Sequence, residues 1–230
     1  MYEYPGGELE LFSKAVRWKK YLSELIGQYI RGDVLEVGAG IGSTTLAFMK
    51  DEVERWVCLE PDISNIKILN NTLNEIDKIE VRAGTIKDID SSKRFDVILY
   101  IDVLEHIEDD KSEIKLAANL LSKEGRLVVL APAFQFLFSE WDRALGHYRR
   151  YNAEMLKSLT PHNLVFEKCR YIDSIGFLAS LINRIILKQK NISNSQIELW
   201  DRIMVPLSRI TDILFHQYFG KSVLAVWKAE

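Results

Sequence analysis

The chain has 230 residues, 47 % of them apolar, enough for one α/β domain with a substantial packed core. Its formal net charge of −3 argues against a general nucleic-acid binder, since phosphate contact needs a basic face. The two cysteines, Cys58 and Cys169, sit in apolar, strand-like runs and suggest neither a disulfide framework nor a metal site.

Taken in chain order, "MYEYPGGELELF" carries acids and no apolar signal core, and an amphipathic cap helix is expected over 8–30. Strands are predicted at Val34–Val37, Arg55–Leu59, Ile79–Arg82, Phe95–Ile101 and Arg126–Ala131, with helical patterns between them. That alternation points to parallel βαβ units. "DDKSEIKLAANLLSKEG" has acids in its first turn and Gly125 as its stop. Two more strands read at 164–173 and 222–229, with a helical insertion over 174–219. One face of that insertion carries Leu178, Leu181, Ile182, Ile185 and Ile186; a second carries Trp200, Ile203, Met204, Leu207, Ile210 and Leu214, with a kink expected at Pro206. Such an insertion suits a lid, a homodimer contact or a surface patch, and Arg184, Lys188 and Lys190 would let it make peripheral contact with anionic lipid. No stretch reaches the roughly 18 apolar residues of a membrane span, and a single cytoplasmic domain over 1–230 is expected. Its cofactor-binding half is 33–132 and its acceptor loop and helix 133–162.

The chemistry starts in "VLEVGAGIGSTT". Gly38, Gly40 and Gly42 do not have the G-x-G-x-x-G spacing of dinucleotide sites, and no Lys-Ser/Thr pair follows as in a P-loop. Glu36 would repel a pyrophosphate but favour a ligand bearing an ammonium and a sulfonium, which S-adenosylmethionine presents. Glu60, twenty residues after Gly40, is placed to accept both ribose hydroxyls, though an ordinary acid at a helix start reads the same way. Pro61 and Asp62 would shape the start of an adenine pocket. Gly84, Thr85 and Ile86 could border the adenine edge, and "FDVILYIDVLEHIEDD" ends a fourth strand and turns into a helix.

"LEVGAGIG", "CLEPD", "AGTI" and "FDVILYIDVLEHIED", in that order, resemble the motifs of class I S-adenosylmethionine-dependent methyltransferases. The resemblance implies a Rossmann-like α/β fold with a seven-stranded, mostly parallel sheet whose last strand is antiparallel, here with inserted helices before that strand. It implies S-adenosylmethionine as cofactor and S-adenosylhomocysteine as product. Glu36, Gly38, Ala39, Gly40, Glu60 and Ile101 would contact the cofactor, Asp102 and His106 would face the boundary with the acceptor, and Arg17 could meet the cofactor carboxylate.

"FSEWDRALGHYRRYNAEML" holds Arg143, Arg149, Arg150 and His147 in an otherwise acidic chain, a cluster suited to an anionic acceptor. Asp142, Gly146, His147, Arg149, Arg150 and Tyr151 also match a bacterial small-molecule subgroup with a Gly-His-x-Arg-Arg-Tyr segment. The arginines could equally tie the loop to acids such as Glu140 or Asp142. His147 is the leading proton acceptor or positioning residue, while His106 more often orders backbone at such a turn. The resulting expectation is methyl transfer to a small molecule, oxygen favoured over nitrogen, with sugar or glycan-related acceptors first. The rivals are a membrane-surface or scaffold protein with a vestigial cofactor fold, and a nicotinamide-dependent oxidoreductase.

Overall fold

The computed structural model describes residues 8–187 and 193–230. The chain opens with two helices, α1 (Glu8–Ser13) and α2 (Val16–Ile26), where one cap helix was expected. Then come β1 (Gly32–Val37), α3 (Ser43–Phe48), β2 (Val53–Glu60), α4 (Ile63–Leu73), β3 (Ile79–Ala83), β4 (Phe95–Ile101), α5 (Asp110–Asn119) and β5 (Leu121–Pro132). The acceptor segment supplies α6 (Glu140–Ala144) and α7 (Ala153–Ser158), followed by β6 (Leu164–Ile172). The insertion holds α8 (Ser174–Ile182), a π-turn (Asn183–Leu187), α9 (Asn194–Leu199), a second π-turn (Trp200–Met204) and α10 (Val205–Leu214), before β7 (Ser222–Ala229) closes the chain.

All seven strands join one sheet in the order β3-β2-β1-β4-β5-β7-β6, and β7 runs antiparallel to both β5 and β6. The order reverses between β1 and β4, so the carboxyl ends of these strands flank a natural ligand crevice. The sheet is covered on both faces. Alternate side chains pack apart: Leu35, Ile98 and Val129 meet α5 through Ile114 and Ala117, while Val34, Val97 and Val128 share the other core with Trp18, Leu22 and Ile26 of α2.

Helix starts follow the local chemistry. The Asp62 carboxylate accepts from Ser64 N at 2.7 Å to cap α4, and Asp109 accepts from Ser112 N at 3.1 Å to cap α5. The expected role of Gly125 is corrected. α5 ends at Asn119, and Gly125 lies in a bulged stretch of β5, where a Cβ would come 2.8 Å from the Ser122 carbonyl.

The insertion also departs from the expected pattern. Its inward side carries Trp200, Asp201, Val205, Ser208 and Asp212, whereas Ile203, Leu207, Ile210 and Leu214 face outward, as do Leu178, Ile182 and Ile185, all at 44–66 % exposure. Three buried aspartates explain the inversion. Asp173 accepts from Trp200 Nε1 (2.7 Å), Ser208 Oγ (2.7 Å) and Gly176 N (3.0 Å). Asp212 accepts from Tyr21 Oη and from the N–H groups of Asp173 and Ser174. Asp201 takes the N–H groups of Arg17 and Trp18, supplying from the insertion the cap that Ala15 cannot give α2. Pro206 stands in the first turn of α10, directly after the π-turn, so the missing N–H is absorbed there in place of a sharp kink. Lys188, Lys190 and the Ile186 side chain lie outside the described residues; Arg184 donates to the Phe138 carbonyl at 2.6 Å. No helix among the described residues is long and apolar enough to cross a membrane.

Candidate active site

A cavity of about 1050 Å³ lies along the carboxyl edge of the sheet, from Glu60 and Thr85 at the β2–β3 end to Asp102, His147 and Lys221 at the β4–β5–β7 end. From β2 to β7 is four strand spacings, about 19 Å, room for an extended ligand with a second one beside it. Gly38, Ala39, Gly40, Glu60, Pro61, Gly84, Thr85, Ile101, Asp102, His106, Asp142, His147 and Arg150 all line it. Arg17, Glu36, Gly42, Ile86, Arg143, Arg149 and Tyr151 do not, and each has a physical reason.

The glycine loop is shaped by close packing. Gly38 has φ +70°, and a Cβ there would stand 2.6 Å from Val103 Cγ2, so the backbone alone forms the wall. Gly42 has φ +84° and precedes α3, where it packs toward Leu69 and Leu73, away from the cavity. Glu60 ends β2 and fastens the loop across the crevice. Its Oε2 accepts from Gly40 N at 2.8 Å and its Oε1 from Asp62 N at 3.0 Å and Asn65 Nδ2 at 3.3 Å. Three of roughly four acceptor positions are thus filled, leaving one on Oε2. Burial raises its pKa, against those hydrogen bonds.

Glu36 corrects the expectation of an ammonium partner. By strand alternation it points to the α2–α3 side with Val34, is 2 % exposed, and accepts from Thr45 Oγ1 (2.6 Å) and Trp56 Nε1 (3.0 Å). Burial pushes its carboxyl up to about 7. Arg17 is likewise corrected: it is exposed and donates to the Arg202 carbonyl, while its neighbours Trp18 and Lys19 reach the cavity. Lys19 donates to the carbonyls of Phe12 (2.5 Å) and Ser13 (3.0 Å), closing the end of α1, and burial lowers its pKa to about 8. Ile86 is 2 % exposed, in the core under its turn.

The arginine cluster resolves into ties. Arg143 pairs with exposed Glu140 at 2.5 Å; Arg149 holds Asp110 at 2.5 Å and the Glu108 carbonyl; Tyr151 is buried and donates to Asp110 at 2.8 Å. Arg150 forms a buried two-point pair with Asp142, Nε to Oδ1 at 2.8 Å and Nη2 to Oδ2 at 3.0 Å. Asp142 also accepts from Ser139 N and Oγ and lies 3.1 Å from His147 Nδ1. Burial opposes ionisation of Asp142, but the His147 hydrogen bond and the Arg150 charge outweigh it, holding the carboxyl below the usual range. An ionised Asp142 assigns the proton to Nδ1 and leaves Nε2 of His147 as a base.

The His106 ring meets that of His147 edge-to-face, centroids 4.5 Å apart. Burial, together with His147, lowers the His106 pKa to about 4, so it is neutral at physiological pH. Asp102, at the end of β4 with φ +54°, is open to the cavity yet enclosed by protein; burial lifts its carboxyl to about 6, against Lys221 and His147. Glu105 is 1 % exposed, its Oε2 has no hydrogen-bond partner, and burial with the nearby Asp102 charge raises its pKa well above the carboxylate range. Donor atoms of Glu105, His106 and His147 fall within 4.8 Å of one another, the described set that could meet at one cation. Sequence reasoning missed Glu105, Lys19 and Lys221. The third had a signal, a lysine directly before the last strand.

A family model described as a methyltransferase domain matches residues 10–168. The ubiquinone biosynthesis O-methyltransferase of Azorhizobium caulinodans is 29 % identical over 100 residues, 42 % of this chain and 38 % of that one. The protein of the same name from Bradyrhizobium diazoefficiens is 30 % identical over 99 residues, 42 % of this chain and 38 % of its own. The match therefore spans about two-fifths of the length of these curated relatives. Among solved structures, the YcgJ protein of Bacillus subtilis superimposes with a TM-score of 0.61 at 16 % identity, over 93 % of this chain and 98 % of that one. The N-methyltransferase NodS of Bradyrhizobium japonicum gives 0.60 at 14 %, over 94 % and 96 %. These two likenesses bear on the fold, and the family follows from a match to more than half the residues: the chain belongs to the methyltransferase-domain family.

Proposed function

We propose that the chain transfers a methyl group from S-adenosylmethionine to an oxygen of a small acceptor. The observation that carries the reading is the shared cavity: a backbone glycine loop fastened by Glu60 at one end, and the Asp142–His147 pair at the other. The residues fit the cofactor. Glu60 keeps one acceptor position for a ribose hydroxyl, Pro61, Thr85 and Ile101 offer the walls of a flat slot, and Gly38 and Gly40 present bare backbone on either side of the small Ala39. Asp102 would supply the negative charge that a sulfonium and an ammonium require. When bound, the cofactor supplies an activated methyl carbon.

What remains for the protein is alignment of the acceptor and removal of its proton. His147 Nε2 is the base, oriented through Nδ1 by Asp142, which Arg150 and Ser139 fix in turn. A hydroxyl needs such a base at attack more than an amine with a free lone pair does. The name O-methyltransferase of the curated relatives supports oxygen as well. A sugar or glycan-related acceptor rests on the subgroup resemblance of the Gly146–Tyr151 segment.

Calorimetric titration with S-adenosylhomocysteine, with NAD in comparison, tests the reading on the wild type and Glu60→Gln. Binding of the first ligand alone is expected. The substitution turns an amide N–H toward a buried backbone N–H and should weaken it by 1–3 kcal/mol, about 5- to 150-fold. Binding of NAD instead, or of neither, would overturn the proposal.

A further inference from the structure

The cations bordering the cavity are mostly committed. Lys19 donates to two backbone carbonyls, Arg150 to Asp142, and Arg184 to the Phe138 carbonyl, while Lys87 is exposed at the far rim. Lys221 differs. It stands where the last strand begins, its backbone held by the Asp173 carbonyl and the Ala133 N–H. Its ammonium lies 4.7 Å from the Trp200 ring centre and 6.0 Å from that of Phe12. Among the described residues it makes no ion pair within 4 Å and no side-chain hydrogen bond.

The nearby acids do not take it up. Asp173 is filled by Trp200, Ser208 and Gly176, Asp142 by Arg150, His147 and Ser139, and Asp102 forms no ion pair with the lysine within 4 Å. Burial presses the lysine toward neutrality; Asp173, Asp102 and Asp142 oppose that from a distance, and Arg150 adds to it. A half-buried cation that lines the cavity, with two aromatic faces beside it and no protein hydrogen-bond partner among the described residues, can take an anion there.

We infer that Lys221 binds the acceptor, and that the acceptor carries an anionic oxygen group, a carboxylate or an ionised hydroxyl, on a flat apolar body lying against Trp200 and Phe12. The arginine cluster, bound up in loop contacts, does not take that role. This rests on the methyltransferase reading and adds the charge of the substrate to it. The same cavity offers apolar surface for such a body, with Leu137, Trp141 and Leu145 among its lining residues.

The test is calorimetry on the protein saturated with S-adenosylhomocysteine, using 3,4-dihydroxybenzoate and the uncharged 3,4-dihydroxybenzamide as probes. They differ in one charge. The wild type should prefer the carboxylate by about tenfold or more, the contribution of one charged hydrogen bond. Lys221→Met should erase the preference, Lys221→Arg should retain most of it, and both should still bind S-adenosylhomocysteine within about tenfold of the wild type, because Glu60 at the far end is untouched while Asp102 feels the lysine's charge. Melting temperatures check that each variant is folded. Equal affinity for the two probes, no binding of the carboxylate, or a preference that survives in Lys221→Met overturns the inference. A Lys221→Met variant that loses S-adenosylhomocysteine instead would assign the lysine to the cofactor carboxylate and also overturn it. Failure of the wild type to bind S-adenosylhomocysteine at all brings down the underlying reading first.

Discussion

Replacing Glu36 by Gln separates a carboxylate that serves the core from one that serves the ligand. In the folded protein this carboxyl titrates at about 7, against a usual value of 4.5, chiefly because it is buried. A folded acid that holds its proton longer than the unfolded one loses stability as pH rises, from about 4.5 through about 7. Between those values the native state binds more protons. The gap of about 2.5 units corresponds to about 3 kcal/mol at pH 8, or roughly 6–12 °C in melting temperature for a domain this size. Gln keeps an oxygen that can accept from both Thr45 and Trp56 but carries no charge. Differential scanning calorimetry between pH 5 and 8 should therefore show little difference at pH 5 and a growing advantage for Glu36→Gln toward pH 8. The same variant should bind S-adenosylhomocysteine within about threefold of the wild type, less than one charged hydrogen bond contributes. Parallel pH curves, or a loss of affinity of about tenfold or more, would refute the placement of this carboxylate beneath the loop.

Three further outcomes follow from the same geometry. Gly38→Ala forces a Cβ onto Val103 at a backbone angle that L-residues avoid, so a loss of about 2–4 kcal/mol and of S-adenosylhomocysteine binding is expected by thermal melts and titration. Asp142→Asn breaks the buried pair with Arg150 and should lower stability by about 3–5 kcal/mol at pH 7. Since the Asp142 carboxyl is held below its usual range, its stabilisation is present above the unfolded value and fades as pH falls, so the deficit should shrink below about pH 4; a deficit constant down to pH 3 contradicts the pairing. Asp173→Asn suits the left-handed backbone there but turns an amide toward Trp200 Nε1 or the Ser208–Gly176 donors. Limited proteolysis of the insertion should accelerate, with about 1–3 kcal/mol lost.

The sheet was legible because its strands are continuous apolar runs covered on both faces, and Phe95–Ile101 falls at the predicted boundaries. The glycine loop, Glu60 and the far wall at Asp102 and His147 were legible through motif order. What sequence could not show was direction and partnership. Glu36 and Glu60 are both acids near strand ends, yet alternation turns the first inward and leaves the second at the cavity. Three arginines in eight residues read as an anion site until Asp110, 39 positions before Arg149, claims one and Asp142 another. The insertion inverted for a related reason: Asp173, Asp201 and Asp212 bury polar atoms against backbone N–H groups, leaving several of the larger apolar residues outside, and hydrophobic periodicity carries no sign of that preference.

With α8 and α10 bolted to α2 and to the start of β7, the insertion behaves as a fixed jamb, and the six residues of α1 form a panel set against it, Phe12 edge-on to Trp200. Leu9 and Phe12 of that panel stand over Gly40 and Lys221 respectively, and its far end is latched by the Lys19 ammonium. Both ends of the cavity are thus walled by one short helix, whose backing rests on three buried carboxylates that do not themselves line the cavity.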